Sequence, residues 1–217
     1  MPRPLLIRTD EFPYHITGRT NNKEWFPIPM DVCWDIFLKN LKEVSKKYSL
    51  KIVSFILMSN HFHMIANTPL SNIDSIMNYL LREISKNIGF ESKRINHIFG
   101  NKYKWSLIQN DIYFYHAYKY LNRNPVNAVM VERVEDYEYS TLNYLVKNKN
   151  LPFVCSEGSD FGNEIIPMDI ETRLKWLNEP YHPKQNQIIR NGLQRSIFQF
   201  TKNKTDVKWV KSLLLKR

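Results

Sequence analysis

The sequence predicts an α+β fold: a ferredoxin-like split βαβ antiparallel sheet with helices on one face, plus a C-terminal helical extension. Three observations lead there. Strand-length apolar runs and two helix-length apolar stripes follow one another as strand, helix, strand, strand, helix, strand. The second and third strands are separated only by Ser59-Asn60, a two-residue turn of hairpin length. Beyond about residue 150 periodicity gives way to Pro, Gly and Ser and then to a basic tail. A chain of 217 residues, 43% hydrophobic and 24% charged, suits one domain with an appendage and excludes a disordered or fibrous protein.

The elements follow in order. Tyr14-His15-Ile16-Thr17-Gly18-Arg19 reads as a short strand with a polar exit. From Asp31 to about Tyr48, the residues Cys33, Phe37, Leu41, Val44 and Tyr48 recur at helical steps of four and three, with lysines on the outer face. Ile52 to Met58 is the second strand and His61 to Ala66 its hairpin partner. Ser71 with Asp74 resembles a capping box. It opens a helix whose stripe is Ile73, Ile76, Met77, Leu80, Ile84 and Ile88, with Gly89 as its stop. Tyr103 to Ile108 makes a fourth strand, and Asp111 to Arg123 a helix ended by Pro125. Residues 1–149 thus form the main domain, 150–170 a linker or loop, and 171–217 a basic extension with helices near 171–178 and 205–215. No internal repeat is visible.

Charge is unevenly spread within a net +10. Residues 1–130 carry 17 Lys and Arg against 10 Asp and Glu, residues 131–172 carry 3 against 9, and residues 173–217 carry 11 against 2. The basic blocks suit a phosphate backbone, through counterion release, while the acidic block is expected to face elsewhere. No run approaches the roughly 18 apolar residues of a membrane span, so no membrane partner is expected. The amino terminus meets Asp10-Glu11 at once and lacks a signal-peptide core. Two cysteines, Cys33 and Cys155, cannot build a disulfide framework, and a reducing cytoplasmic setting follows.

Two constellations carry chemistry. On a strand, His61 and His63 share one face and Phe62 the other, so two imidazoles stand close enough to share a divalent metal. Their spacing alone leaves the metal open, because such pairs also arise by chance. With no cysteine nearby, an open site completed by amide or water oxygens suits Mg²⁺ or Mn²⁺ better than a closed structural zinc site. On the helix after the fourth strand, Tyr120 has His116 one turn earlier and Asn124 one turn later. Tyr113, Tyr115 and Tyr118 read as packing residues, and Asn124 before Pro125 equally suits the N-cap of a short helix to about Val131. The aromatic signature of the common RNA-binding sheet is absent.

Taken together, four segments resemble the HUH single-tyrosine transposases, most like the REP-associated tyrosine transposases of bacteria. Phe55-Ile56-Leu57-Met58-Ser59-Asn60-His61-Phe62-His63-Met64-Ile65 is similar to the metal-binding segment. Tyr14 to Arg19 looks like the first strand, and Ile98 to Lys104 like the segment before the last. Tyr120-Leu121-Asn122-Arg123-Asn124-Pro125-Val126 looks like the tyrosine helix and its end. The match spans residues 13 to about 145. It departs at Lys102, where the family more often has arginine, and at Tyr139-Ser140-Thr141, in place of a Trp-Ser-Ser-like run.

The resemblance implies a metal-dependent transesterase. His61, His63 and Asn124 would hold Mg²⁺ or Mn²⁺, and Tyr120 would be the nucleophile forming a 5′-phosphotyrosine on single-stranded hairpin DNA. His116 is a candidate base or extra ligand. Arg19, Lys102, Lys104 and Arg123 lie near the chemistry in sequence and are candidate DNA contacts, with the tail clasping the hairpin stem. The alternative is a catalytically silent or domesticated hairpin-binding regulator on the same fold. A replication or conjugation nickase fits less well, given the short chain. Monomer and homodimer both stay open.

Overall fold

The computed structural model describes residues 5–95, 97–100, 102–155, 166–200 and 205–214. Four strands, β1 (Tyr14–Arg19), β2 (Lys51–Met58), β3 (His61–Asn67) and β4 (Lys104–Leu107), form one sheet in the order β2-β3-β1-β4. Every pairing is antiparallel. Helix α1 (Met30–Tyr48) links β1 to β2, and α2 (Ile73–Ser92) links β3 to β4. That is the expected α+β arrangement.

Alternation along the strands sorts the sheet's two faces. Tyr14, Ile16, Phe55, Leu57, Phe62 and Met64 pack with the stripes of α1 and α2 in one core. All six stripe residues of α2, from Ile73 to Ile88, are fully buried, and burying each such side chain contributes roughly 1.5–3 kcal/mol. The opposite parity, with Ile56, Met58 and Ile65 from β2 and β3, faces a second core shared with later helices. These are α3 (Asp111–Asn122), α4 (Asn124–Asn127), α5 (Thr141–Val146), α6 (Ile170–Asn178), α7 (Pro183–Gly192) and α8 (Val207–Leu214). So α1 and α2 occupy one face as expected, and the C-terminal half builds a partial cover on the other.

Both sheet edges are blunted by later chain. Cys155 bridges to Ile52 of β2 and donates its thiol to the Val53 carbonyl. Ser196 and Phe198 exchange backbone hydrogen bonds of 2.8 Å with Leu107 of β4. Covering the edges removes unpaired backbone groups that would otherwise invite strand addition.

Several local expectations are corrected. Ser71 adopts a left-handed backbone (φ 50°) instead of capping α2, and Asp74 pairs with Arg8 at 3.0 Å. Helix α2 runs past Gly89 to Ser92, and Lys93 closes it in the left-handed region by donating to Gly89 and Phe90 carbonyls. Asn124 is not an N-cap: Arg123 holds that position, without a side-chain cap. Helices α5 and α7 lacked a clear apolar stripe in the sequence, although His182-Pro183 with Gln185 does form a capping box opening α7. Of the expected linker, residues 156–165 lie outside the described residues, as does residue 215, the expected end of the last helix.

Candidate active site

The chemistry-bearing face of the sheet is the one opposite α1 and α2. On β3, His61 and His63 share it with Ile65; on β1, so do His15, Thr17 and Arg19. The register places Thr17 between His63 and Lys104, and Arg19 beside His61. Above these strands lies a cleft of about 930 Å³ whose lining includes His15, His61, His63, Tyr120 and Asn124. One chain therefore supplies both the histidine pair and the tyrosine.

The rings are closely grouped. His61 and His63 have centroids 5.0 Å apart, and Tyr120 stands edge-on to His63 at 6.0 Å and to His15 at 6.4 Å. Tyr120 is positioned by the end of α3. Pro125 has no N–H to offer the Leu121 carbonyl, and Asn124 Nδ2 donates to that carbonyl at 3.1 Å and to the Tyr120 carbonyl at 2.9 Å. Spending Nδ2 on the helix end leaves Oδ1, the atom a hard cation prefers, outside both bonds.

Burial sets the protonation states. It lowers His61 to about 4, with the Arg19 charge as a lesser cause. His63 is held well below 6.5, again chiefly by burial and then by His15, His61 and Arg19. Both imidazoles are therefore neutral at pH 7, the form that binds metal. The Tyr120 phenol is raised by burial, with Arg190 and Arg19 pulling it down. Among the described residues no three His, Cys, Asp or Glu side chains form a metal group. The donors that would be offered to a metal are two neutral imidazoles and one amide oxygen, with cleft space for water or phosphate oxygens. It fits an open Mg²⁺ or Mn²⁺ site and not a closed zinc site.

The proposed basic contacts divide. Arg19, Lys102 and Lys104 line the cleft, joined by Lys23 and Arg190, and no Asp or Glu among the described residues does. Arg123 does not: it is buried, and its guanidinium donates to the Leu177 carbonyl at 2.8 Å. His116 is likewise elsewhere. It sits one turn toward the start of α3, where α8 and Tyr181 cover the helix. There Nδ1 meets the Tyr181 hydroxyl at 2.6 Å and Nε2 the Leu213 carbonyl at 2.9 Å. With both nitrogens engaged and outside the cleft lining, it is placed neither as a base nor as a ligand. Tyr113, Tyr115 and Tyr118 pack in the second core, as expected.

His15, Lys23 and Arg190 are among the cleft residues that sequence reasoning missed. His15 has the same strand alternation as His61 and His63, a signal that was available once β1 and β3 are paired. Arg190 comes from α7, and nothing in the sequence brings it near Tyr120.

A family model described as "Transposase IS200 like" matches residues 9–124. No curated protein matches. Among solved structures, one described as the REP-associated tyrosine transposase bound to a REP hairpin is 18% identical, with a TM-score of 0.58, covering 75% of this chain and 96% of that one. A transposase candidate from Deinococcus radiodurans R1 is 14% identical, with a TM-score of 0.36, covering 48% of this chain and 82% of that one. At 18% identity the likeness to the first of these is one of fold.

Proposed function

The chain belongs to the IS200-like transposase family, and from that premise we propose that it cuts and rejoins single-stranded hairpin DNA through a tyrosine-linked intermediate. The observation that carries this reading is the meeting of Tyr120 with His61, His63 and Asn124 in one cleft that, among the described residues, is lined by basic and not acidic side chains. The solved hairpin complex of the same fold supports hairpin DNA as the substrate class.

In this reading His61, His63 and Asn124 would hold Mg²⁺ or Mn²⁺. When bound, the cation supplies Lewis-acid polarisation of a non-bridging oxygen of the scissile phosphate. Arg19, Lys102, Lys104 and Arg190 hold the flanking phosphates, and their charge draws the strand into the cleft. The Tyr120 Oη–P bond forms as the P–O3′ bond breaks. The phenol loses one proton and the departing 3′ oxygen gains one, so the step is balanced. The phosphotyrosine keeps the phosphate activated, and an incoming 3′ hydroxyl reverses the step to join a new strand.

The test is incubation with a single-stranded DNA hairpin and Mn²⁺, followed by denaturing electrophoresis. A covalent protein–DNA adduct is expected. Tyr120→Phe is expected to abolish it while hairpin affinity stays within about threefold, since the substitution removes one neutral hydroxyl and leaves the cationic cleft wall that dominates phosphate binding intact. Hairpin binding with no adduct from the parent protein would instead make the chain a silent DNA-binding regulator.

A further inference from the structure

Beyond the histidines themselves, both imidazoles are tied down in the same way. His61 Nδ1 lies 2.7 Å from Asn60 Oδ1. The Asn60 amide is oriented by its own Nδ2, which donates to the Lys23 carbonyl at 2.7 Å, so the atom facing His61 is an acceptor. His61 must then carry its proton on Nδ1. For His63, Nδ1 lies 2.9 Å from His15 Nε2, and the two rings meet edge to edge, with centroids 5.1 Å apart and planes only 22° from parallel. His15 and His63 are 3% and 7% exposed. Burying two imidazoles in a strand face is costly unless they satisfy each other, and an apolar pair would fill the space more cheaply.

We propose that Asn60 and His15 are positioning residues, which accept the Nδ1–H of His61 and His63 respectively and thereby leave both Nε2 lone pairs as the metal-binding atoms. The inference rests on the metal reading above and extends it to a supporting layer. A ligand imidazole held by a hydrogen bond to its other nitrogen loses neither tautomer nor ring orientation when the metal arrives. Asn60 does this from the β2–β3 turn and His15 from the neighbouring strand, so the two supports are independent.

The test uses the full chain without DNA. Long-range ¹H–¹⁵N correlation spectra in chelator report each imidazole's tautomer, and titration with Mn²⁺ alone reports affinity. The parent is expected to show His61 and His63 as Nδ1–H tautomers. His15→Phe, which keeps the packing volume, and Asn60→Ala are each expected to weaken Mn²⁺ binding roughly 10- to 100-fold. His15→Gln and Asn60→Asp keep an acceptor near the same place and are expected to recover most of that loss. Should His15→Phe not fold, His15→Asn, one bond too short to reach His63, takes its place against His15→Gln. An Nε2–H tautomer for either histidine in the parent overturns the proposal, as does undiminished Mn²⁺ binding by the folded Phe and Ala variants. A parent that binds no Mn²⁺ removes the metal reading itself, and the spectra then still judge the two hydrogen bonds separately.

Discussion

Two arginines show why position in the fold, and not type, decides a role. Arg19 and Arg123 looked alike in the sequence, each close to a chemical motif. Arg19 lines the cleft, whereas Arg123 is buried against the end of α6 and bonded to the Leu177 carbonyl. Arg19→Ala is expected to weaken hairpin binding and reduce the salt slope by about one counterion. Arg123→Ala is expected to leave that slope unchanged and to lower stability by roughly 1–3 kcal/mol, because a buried carbonyl loses its donor. Fluorescence titrations at several salt concentrations, with melting curves alongside, separate the two. The histidines predict a pH effect of definite sign. His15 and His61 are lowered to about 4 from 6.5, chiefly by burial, and His63 is shifted down in the same sense, again chiefly by burial. The unfolded chain therefore takes up these protons first as pH falls, and stability declines from about pH 6.5 down through pH 4. Melting in chelator is expected to show Tm falling across that window, and a flat Tm would contradict buried neutral imidazoles.

At the scale of elements, strand β1 is constrained on both faces. Its inner face carries Gly18 under the Phe62 ring, where an added Cβ would lie 2.6 Å from the ring edge. Phe62 is itself fully buried among aromatic neighbours and cannot withdraw freely. Gly18→Ala is expected to cost roughly 1–3 kcal/mol, and because His15 and Arg19 share the strand, it is expected to weaken DNA binding as well. A denaturant titration checks the first effect. Strands and the first two helices were legible because each carries an unbroken apolar periodicity, although the ends read for α2 at Ser71 and Gly89 were not its actual ends. The His61-Phe62-His63 alternation and the Tyr120–Asn124 spacing were legible for the same reason. What stayed hidden depends on contacts far along the chain. The fate of His116 is set by Tyr181 and Leu213, which lie 65 and 97 residues away. Helix α7 carries only Ile188 and Ile189 as large buried apolar residues, too few to make a stripe.

Across the whole molecule, the basic extension is part of the folded body. Trp176, Leu177, Ile188, Ile189 and Leu213 are buried in one core with Phe114, Tyr118 and Leu121 of α3. Removing residues 173–217 would strip that face of the tyrosine helix, so the truncated chain is expected to lose its cooperative melting transition, and reduced DNA binding by it would not isolate a charge effect. Arg190→Gln does isolate one. The residue is exposed at the cleft wall, and its loss is expected to lower hairpin affinity and the salt slope with Tm unchanged. The acidic block has local structural uses: Glu135 binds Arg133 and Asn178, and Asp169 caps α6. It leaves the cleft lining free of carboxylates among the described residues.

The most direct measurement digests the Mn²⁺-dependent protein–DNA adduct with protease and nuclease and sequences the modified peptide by tandem mass spectrometry. A 5′-nucleotide on the Tyr120 ring oxygen is the result expected from its place beside His63. The same mass on Tyr115 or Tyr118, or on no tyrosine at all, would contradict the account.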